Sequence, residues 1–209
     1  MFKKEKYVFI KNAINPTFAN FLFKYLLLKE QVCSTLNQTG YAVPGTWDFG
    51  IFGDNQVPNA YATYGDIAFE TLLTELLPIM EKATGFKLIP TYAYSRLYRE
   101  GNELPTHKDR DACDISTTLF LGGNEWPIYF IINGKKKYMN MKPGDMVAYK
   151  GTELLHGRDK FIGAQDITCG QVFLHYNKKT KENKNLYDGR PHLGICDKNI
   201  TEGWNENNK

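Results

Sequence analysis

The chain of 209 residues contains only four cysteines, and no two of them form a C-x-x-C pair. This absence argues against a zinc ribbon and against a dithiol redox site. We therefore expect reduced, mostly structural thiols at all four positions: Cys33, Cys113, Cys169 and Cys196.

A long hydrophobic run is also missing. The first six residues are rich in lysine. They are followed by an apolar stretch, residues 7–10, which stops at Lys11. Such a stretch is far too short for a signal-peptide core or a membrane span. The expectation is a soluble, cytoplasmic protein.

Neither sign of charge is in marked excess, since 26 basic residues face 23 acidic ones and the formal net charge is +3. This balance gives no strong signal for binding to nucleic acid or to an anionic membrane. The sequence also offers no Ser-His-Asp or Cys-His arrangement of the kind that nucleophilic catalysis uses. The oligomeric state is left open.

Two helices are predicted before residue 89. Asn15 and Pro16 have the residue types of an N-cap and a first helical position, and an apolar stripe at helical spacing follows. We expect this helix to cover an edge or a face of a sheet. The second helix begins near Asp66 and ends before Gly85, and Pro78 must kink or split it. The stripe of the first helix consists of Phe18, Phe21, Leu22, Tyr25 and Leu26.

Residues 37–65 are rich in glycine and aromatic side chains and have no sustained period. We interpret them as a long ordered loop. It would be either a substrate-facing lid or a surface loop packed down by its own rings. The rings that would stack on a substrate in the first case are Trp47, Phe49, Phe52, Tyr61 and Tyr64.

From residue 89 onward the pattern is that of short β-strands. Asn133-Gly134 is a strong two-residue hairpin signal, and residues 143–145 mark another turn. Many short strands without intervening helices favour an antiparallel sandwich or jelly roll, so the fold class is mainly β with flanking helices. We expect one domain spanning residues 1–209, with a helical N-terminal part (1–89), a jelly-roll core (about 90–176) and a polar C-terminal tail (177–209). Beyond residue 100 the predicted strands are residues 115–121, 128–132, 137–141, 146–150 and 171–176.

His107 and Asp109 form a His-x-Asp triplet with Lys108. Residues i and i+2 of an extended chain point to the same face, so both side chains can reach one ion. The best candidate for a third ligand is His156, and His175 and His192 are its competitors. Two imidazoles and one carboxylate on one side of a metal leave coordination positions open, as in the non-haem Fe(II) oxygenases.

Around this triplet the chain resembles the Fe(II)- and 2-oxoglutarate-dependent oxygenases, and in particular their prolyl 4-hydroxylase-like branch. The resemblance covers roughly residues 90–176 and implies a double-stranded β-helix, a cupin-like jelly roll. It also implies Fe(II) held by His107, Asp109 and His156, with 2-oxoglutarate and O2 as cosubstrates. The matching segments are residues 96–109, Gly144-Asp145 ahead of Tyr149, Gly151 and His156, and residues 171–176.

The chain departs from this family where 2-oxoglutarate is held. Relatives carry a basic residue about ten positions after the distal histidine, but residues 164–170 contain no base and include Asp166. Arg158, two residues after His156, is therefore assigned to the distal carboxylate of 2-oxoglutarate. Tyr98 matches the family's upstream tyrosine and is assigned to the same carboxylate. Further possibilities are Arg96, Arg110, Thr118 and Gln171.

The resemblance implies a dioxygenase that hydroxylates an unactivated C–H bond and releases succinate and CO2. Its branch favours a peptidyl residue such as proline, or an amino acid, as the substrate. No catalytic side chain is needed beyond the metal ligands. Two other classes stay open: a cupin-like metal-dependent hydrolase or isomerase, and a non-catalytic jelly-roll module.

Overall fold

The computed structural model describes residues 2–41, 49–163, 166–180 and 186–196. In these residues the α-helices are α1 (Phe2–Glu5), α2 (Pro16–Thr39), α3 (Ile67–Glu75) and α4 (Leu77–Thr84), and a short 3-10 helix spans Leu186–Gly189. The strands are β1 (Tyr7–Ile10), β2 (Ile51–Phe52), β3 (Tyr61–Tyr64), β4 (Leu88–Arg99), β5 (Leu104–His107), β6 (Ile115–Gly123), β7 (Ile128–Ile132), β8 (Lys135–Met139), β9 (Met146–Tyr149), β10 (His156–Arg158) and β11 (Thr168–Lys178).

The strands form two antiparallel sheets. The larger sheet has the order β1-β9-β6-β11-β4-β3-β2, and the smaller one has the order β5-β10-β7-β8. One hydrophobic core lies between the two sheets, and another lies between the larger sheet and the helices. The predicted class, mainly β with flanking helices and a jelly-roll arrangement, is confirmed.

Alternation along the long strands separates these two cores. On β11, Leu174 and Tyr176 join the core beneath the helices, whereas Phe173 joins the core between the sheets. On β4, Leu97 faces the helices and Tyr98 faces the other sheet. Since successive side chains of a strand point to opposite faces, this alternation decides which residues reach the interior of the jelly roll.

The predicted helix boundaries are confirmed at the caps. The Asn15 side chain accepts a hydrogen bond from the backbone of Thr17, and Asp66 caps α3 in the same way. The second predicted helix is split into α3 and α4 at Leu76, just before Pro78. Proline lacks a backbone N–H and clashes with the preceding turn, which explains the break.

The predicted apolar stripe of α2 is wrong at two positions. Phe18 is 46% exposed and Phe21 is 63% exposed. Their rings stack on each other at a centroid distance of 6.4 Å, outside the core. The buried stripe of the helix is shifted around its axis and consists of Ala19 together with Leu22 and Leu26, which are buried as predicted.

The helical description of residues 1–89 is incomplete. β1 pairs with β9, and β3 pairs with β4, so this part of the chain supplies three strands to the larger sheet. The prediction of a loop over residues 37–65 is therefore wrong for residues 51–52 and 61–64. Tyr61 and Tyr64 are buried rather than set on a rim. Residues 42–48, with Trp47, lie outside the described residues.

The hairpin at Asn133-Gly134 is confirmed, with φ of 51° and 74° at the two turn residues. The strand predicted at 137–141 begins earlier, at Lys135. Within the polar tail, β11 continues to Lys178, and residues 186–196 lie against α3 and β4. None of the helices in the described part of the chain combines the length and the hydropathy that a membrane span requires.

Candidate metal centre

Three of the predicted site residues meet at the mouth of the jelly roll. His107 ends β5 and His156 begins β10, and the two are register partners in the smaller sheet. Asp109 lies two residues beyond β5, where its backbone N–H donates to the carbonyl oxygen of Gly151 at 3.0 Å. One donor atom from each of the three residues lies within 4.8 Å of the other two, which is close enough to hold a single ion. The competing histidines, His175 and His192, are not in this group.

Backbone hydrogen bonds fix the orientation of both imidazoles. His107 Nδ1 lies 2.8 Å from the carbonyl oxygen of Pro105, and His156 Nδ1 lies 2.9 Å from that of Leu154. A carbonyl oxygen only accepts, so each Nδ1 carries the proton and each Nε2 presents a lone pair. The two Nε2 atoms lie 3.6 and 3.4 Å from Asp109 Oδ1, so all three lone-pair donors point to one place.

The three side chains differ in exposure. His156 is 1% exposed and packs against the rings of Tyr149 and Phe130. The His107 side chain is 24% exposed, so the centre is accessible from the His107 side. Burial opposes ionisation of Asp109, but the adjacent side chains of His107 and His156 outweigh it and hold the pKa of this carboxyl well below its ordinary value. Asp109 is therefore a carboxylate at neutral pH.

A second group of polar side chains lies behind Asp109. Ser116 donates from its hydroxyl to Asp109 Oδ2 at 2.5 Å, and His175 Nδ1 lies 3.1 Å from the same hydroxyl oxygen. The His175 ring stacks on Tyr92 at 4.3 Å, and burial lowers the pKa of His175 to about 4. Sequence reasoning missed Ser116. Its place in β6, two residues before Thr118 on an alternating strand, is the signal that would have put it inside the jelly roll.

Arg158 lies deeper between the sheets, on the same strand as His156. It is fully buried. Its guanidinium donates to the carbonyl oxygen of Trp126 and, at 3.0 Å, to the Thr118 hydroxyl. Its Nε has no hydrogen-bond partner in the part of the chain that the structure describes. Among the residues that the structure describes, no carboxylate forms an ion pair with Arg158, so a buried positive charge is left with neutral acceptors alone.

Tyr98 shares a neighbour with Arg158. Its ring meets Trp126 edge-on at 4.8 Å, and the Arg158 guanidinium lies over the Trp126 ring at 5.2 Å. Its hydroxyl oxygen lies 3.5 Å from Nη1 of Arg96. The two residues assigned to 2-oxoglutarate are thus brought to the same part of the interior.

The other residues considered for this role have partners already or lie elsewhere. Arg96 is paired with buried Asp54 at 2.6 Å, and Arg110 forms an ion pair with Asp188. Gln171 accepts a hydrogen bond from Thr118 and so extends the polar lining near Arg158. Asp166 is exposed on the surface, so it does not face this interior.

Solved structures similar to this chain are consistently 2-oxoglutarate- and Fe(II)-dependent oxygenases, with TM-scores of about 0.56–0.62. A prolyl-4-hydroxylase from Pseudomonas putida has a TM-score of 0.58 and 12% identity, over 84% of this chain and 94% of its own. HygX from Streptomyces hygroscopicus, solved with nickel, 2-oxoglutarate and hygromycin B bound, has a TM-score of 0.58 and 11% identity, over 85% of this chain and 84% of its own.

A prolyl hydroxylase from Trichoplax adhaerens, in complex with a peptide fragment of hypoxia inducible factor, has a TM-score of 0.56 and 12% identity, over 84% of this chain and 85% of its own. No protein-family model and no curated protein sequence matches the chain. The likeness therefore concerns the fold. This protein has the double-stranded β-helix of the 2-oxoglutarate- and Fe(II)-dependent oxygenases.

Proposed function

We propose that the protein is an Fe(II)- and 2-oxoglutarate-dependent dioxygenase. It hydroxylates an unactivated C–H bond of a peptidyl residue such as proline, or of an amino acid, and releases succinate and CO2. The observation that carries the proposal concerns one short strand, β10. It bears a candidate metal ligand, His156, and a buried arginine, Arg158, which has no carboxylate partner among the described residues.

The donor set fits Fe(II). Two neutral imidazole nitrogens and one carboxylate oxygen converge, and the exposed side of His107 leaves room for further ligands. This combination is typical of non-haem Fe(II) oxygenases that bind O2 and a cosubstrate on the open side. His107, Asp109 and His156 would hold the metal by Nε2, Oδ1 and Nε2.

The surroundings of Arg158 fit the distal carboxylate of 2-oxoglutarate. A buried guanidinium with an unpartnered Nε is stabilised by an anion that accepts its hydrogen bonds. The Tyr98 hydroxyl lies near the same end of the interior and would donate a further hydrogen bond to the carboxylate. A metal-dependent hydrolase or isomerase would have no evident need for the buried guanidinium of Arg158 in addition to its metal ion.

The side chains of this protein would then bind, orient and exclude water. When bound, Fe(II), 2-oxoglutarate and O2 together supply the oxidation of the C–H bond. Arg158 would fix the distal end of the cosubstrate, and the core between the sheets would keep bulk water away from it. The substrate would approach from the His107 side, since His156 is enclosed by Phe130 and Tyr149.

The substrate class is supported by the similar structures, one of which holds a peptide fragment while another holds hygromycin B. A peptide or a small molecule is therefore the partner to test first. Cys33, Cys113 and Cys169 are buried as reduced thiols, which supports our proposal of a reducing, cytoplasmic setting.

The test is the anaerobic addition of Fe(II) and 2-oxoglutarate to the purified protein. We expect a weak visible charge-transfer band, followed on admission of O2 by formation of succinate. His107→Ala and Asp109→Ala should abolish both signals, and Glu125→Gln, which alters only an exposed ion pair with Lys142, should change neither. A hydrolase or a non-catalytic module would give no band and no succinate, and that result would refute the proposal.

A further inference from the structure

The two oxygen atoms of Asp109 have different surroundings. Oδ1 lies between the Nε2 atoms of His107 and His156, at 3.6 and 3.4 Å. Oδ2 accepts a hydrogen bond from Ser116 at 2.5 Å. Oδ2 is therefore engaged with Ser116, and Oδ1 is the oxygen that faces the two histidines.

The direction of the hydrogen bonds follows from the proton count. Ser116 has one hydroxyl proton, and a carboxylate can only accept, so this proton is given to Asp109. The neighbouring contact at 3.1 Å must then run from His175 Nδ1–H to the Ser116 oxygen. His175, Ser116 and Asp109 thus form a chain in which every donor points toward the carboxylate.

The fold fixes both ends of this chain. Ser116 and His175 are register partners on the adjacent strands β6 and β11, so their side chains share a face. The His175 ring is held by stacking on Tyr92. A Cβ atom at Gly151 would lie 2.3 Å from Asp109 Oδ2 and 2.4 Å from the Ser116 hydroxyl, so only glycine fits beside this contact.

We propose that Ser116, held by His175, is a positioning residue that keeps Asp109 a one-oxygen metal ligand and turns Oδ1 toward the two histidines. The inference rests on the proposed function only in that it takes His107, Asp109 and His156 to be metal ligands. Hydrogen-bond partners of metal-binding carboxylates commonly change metal affinity on the order of 10- to 100-fold.

The test is Co(II) binding to the purified protein, by calorimetry and by visible absorption, without cosubstrate or turnover. Ser116→Ala should raise the dissociation constant on the order of 10- to 100-fold. It should also alter the Co(II) bands, because freed Oδ2 can join Oδ1 on the metal. Ser116→Thr keeps the hydroxyl and should restore both the affinity and the spectrum.

The matched control is Ser95→Ala. Ser95 lies on β4 in the same sheet and is as fully buried as Ser116. Its hydroxyl shares a hydrogen bond with the hydroxyl of Thr63. We expect normal Co(II) binding in this variant. If Ser116→Ala binds Co(II) like the unmodified protein and gives the same spectrum, the inference is overturned while the proposed function stands. No Co(II) binding by the unmodified protein would remove the metal centre itself.

A second variant keeps the question answerable if Ser116→Ala does not fold. His175→Phe preserves an aromatic ring against Tyr92 but removes the Nδ1–H donor. A Co(II) affinity weaker than that of the unmodified protein, together with a shifted Co(II) spectrum, would support the chain. A His175→Phe variant identical to the unmodified protein in both measurements would overturn the role of His175.

Discussion

Arg158 and Arg190 are both buried, yet their surroundings differ in charge. Arg190 is 5% exposed and lies 2.7 Å from the carboxylate of Glu70, and it also donates to backbone carbonyl oxygens. Arg158 is 0% exposed, and its acceptors among the described residues are all neutral. Because a buried charge is unfavourable unless it is paired, the first arginine is neutralised within the chain, and the second is suited to an anion from outside.

The locations of the two arginines agree with this difference. Arg190 joins the C-terminal segment 186–196 to α3 and to the backbone of Thr91 on β4, on the helix side of the larger sheet. Arg158 lies between the sheets, two residues from His156. Burial alone therefore does not distinguish a structural arginine from a ligand-binding one. The presence or absence of a counter-ion does.

The largest expected effect concerns stability without any ligand. Arg190→Met leaves Glu70 buried without its partner, and loss of one member of a buried pair lowers the free energy of unfolding by about 3–5 kcal/mol. Arg158→Met removes a charge that has no carboxylate partner among the described residues, so we expect a much smaller loss. Urea denaturation followed by circular dichroism, in the absence of metal and 2-oxoglutarate, measures both.

A double variant sharpens this comparison. Glu70→Met with Arg190→Met removes both charges together and should recover part of the stability that Arg190→Met loses. A corresponding double variant cannot be made for Arg158, because it has no carboxylate partner among the described residues. Equal losses in Arg190→Met and Arg158→Met would contradict the distinction between the two sites.

The next effect concerns the cosubstrate. Arg158→Met should raise the apparent KM for 2-oxoglutarate, because a hydrogen bond to a charged group contributes about 1.5–3 kcal/mol. This range corresponds to an increase on the order of 10- to 100-fold. Steady-state succinate formation measures it. Arg158→Lys should give an intermediate value, since an ammonium lacks the planar fork of a guanidinium.

Arg99→Met is the matched control for this measurement. Arg99 pairs with Glu30 and is partly exposed, outside the core between the sheets. Its replacement should leave the KM for 2-oxoglutarate unchanged. If Arg158→Met also leaves it unchanged, the carboxylate partner is another residue of the interior, and Gln171 would be the next to replace.

The fold was predictable from the sequence where the signals are local. The N-cap of Asn15 and the break at Pro78 depend on a few neighbouring residues, and both are confirmed. β1 and β3 were missed because their partners are distant in the chain: Tyr7 pairs with Tyr149, and Tyr61 pairs with Leu97. Each of these strands has four residues, which is too few to show a clear periodicity of its own.

The candidate site follows the same division. His107 and Asp109 are two residues apart, as are His156 and Arg158. Side chains at this spacing in an extended chain point to the same face, so each pair was predicted from the local sequence. The contact of Ser116 with His175 depends on the register between β6 and β11, which no local pattern specifies. The pairing of Arg96 with Asp54 likewise depends on how the loop before β3 folds over β4.

The smallest expected effect concerns Tyr98. Among the described residues its hydroxyl has one hydrogen-bond contact, a long one of 3.5 Å with Arg96. Tyr98 is an uncharged donor, so we place its hydrogen bond to the 2-oxoglutarate carboxylate at the lower end of the range for bonds to a charged group, about 1.5 kcal/mol. Tyr98→Phe should therefore raise the KM for 2-oxoglutarate by no more than about 10-fold. Tyr138→Phe, which alters an exposed hydroxyl, is the control. A KM unchanged in Tyr98→Phe would exclude this hydroxyl from the cosubstrate site, whereas a rise as large as that of Arg158→Met would mean that the arginine does not bind the carboxylate alone.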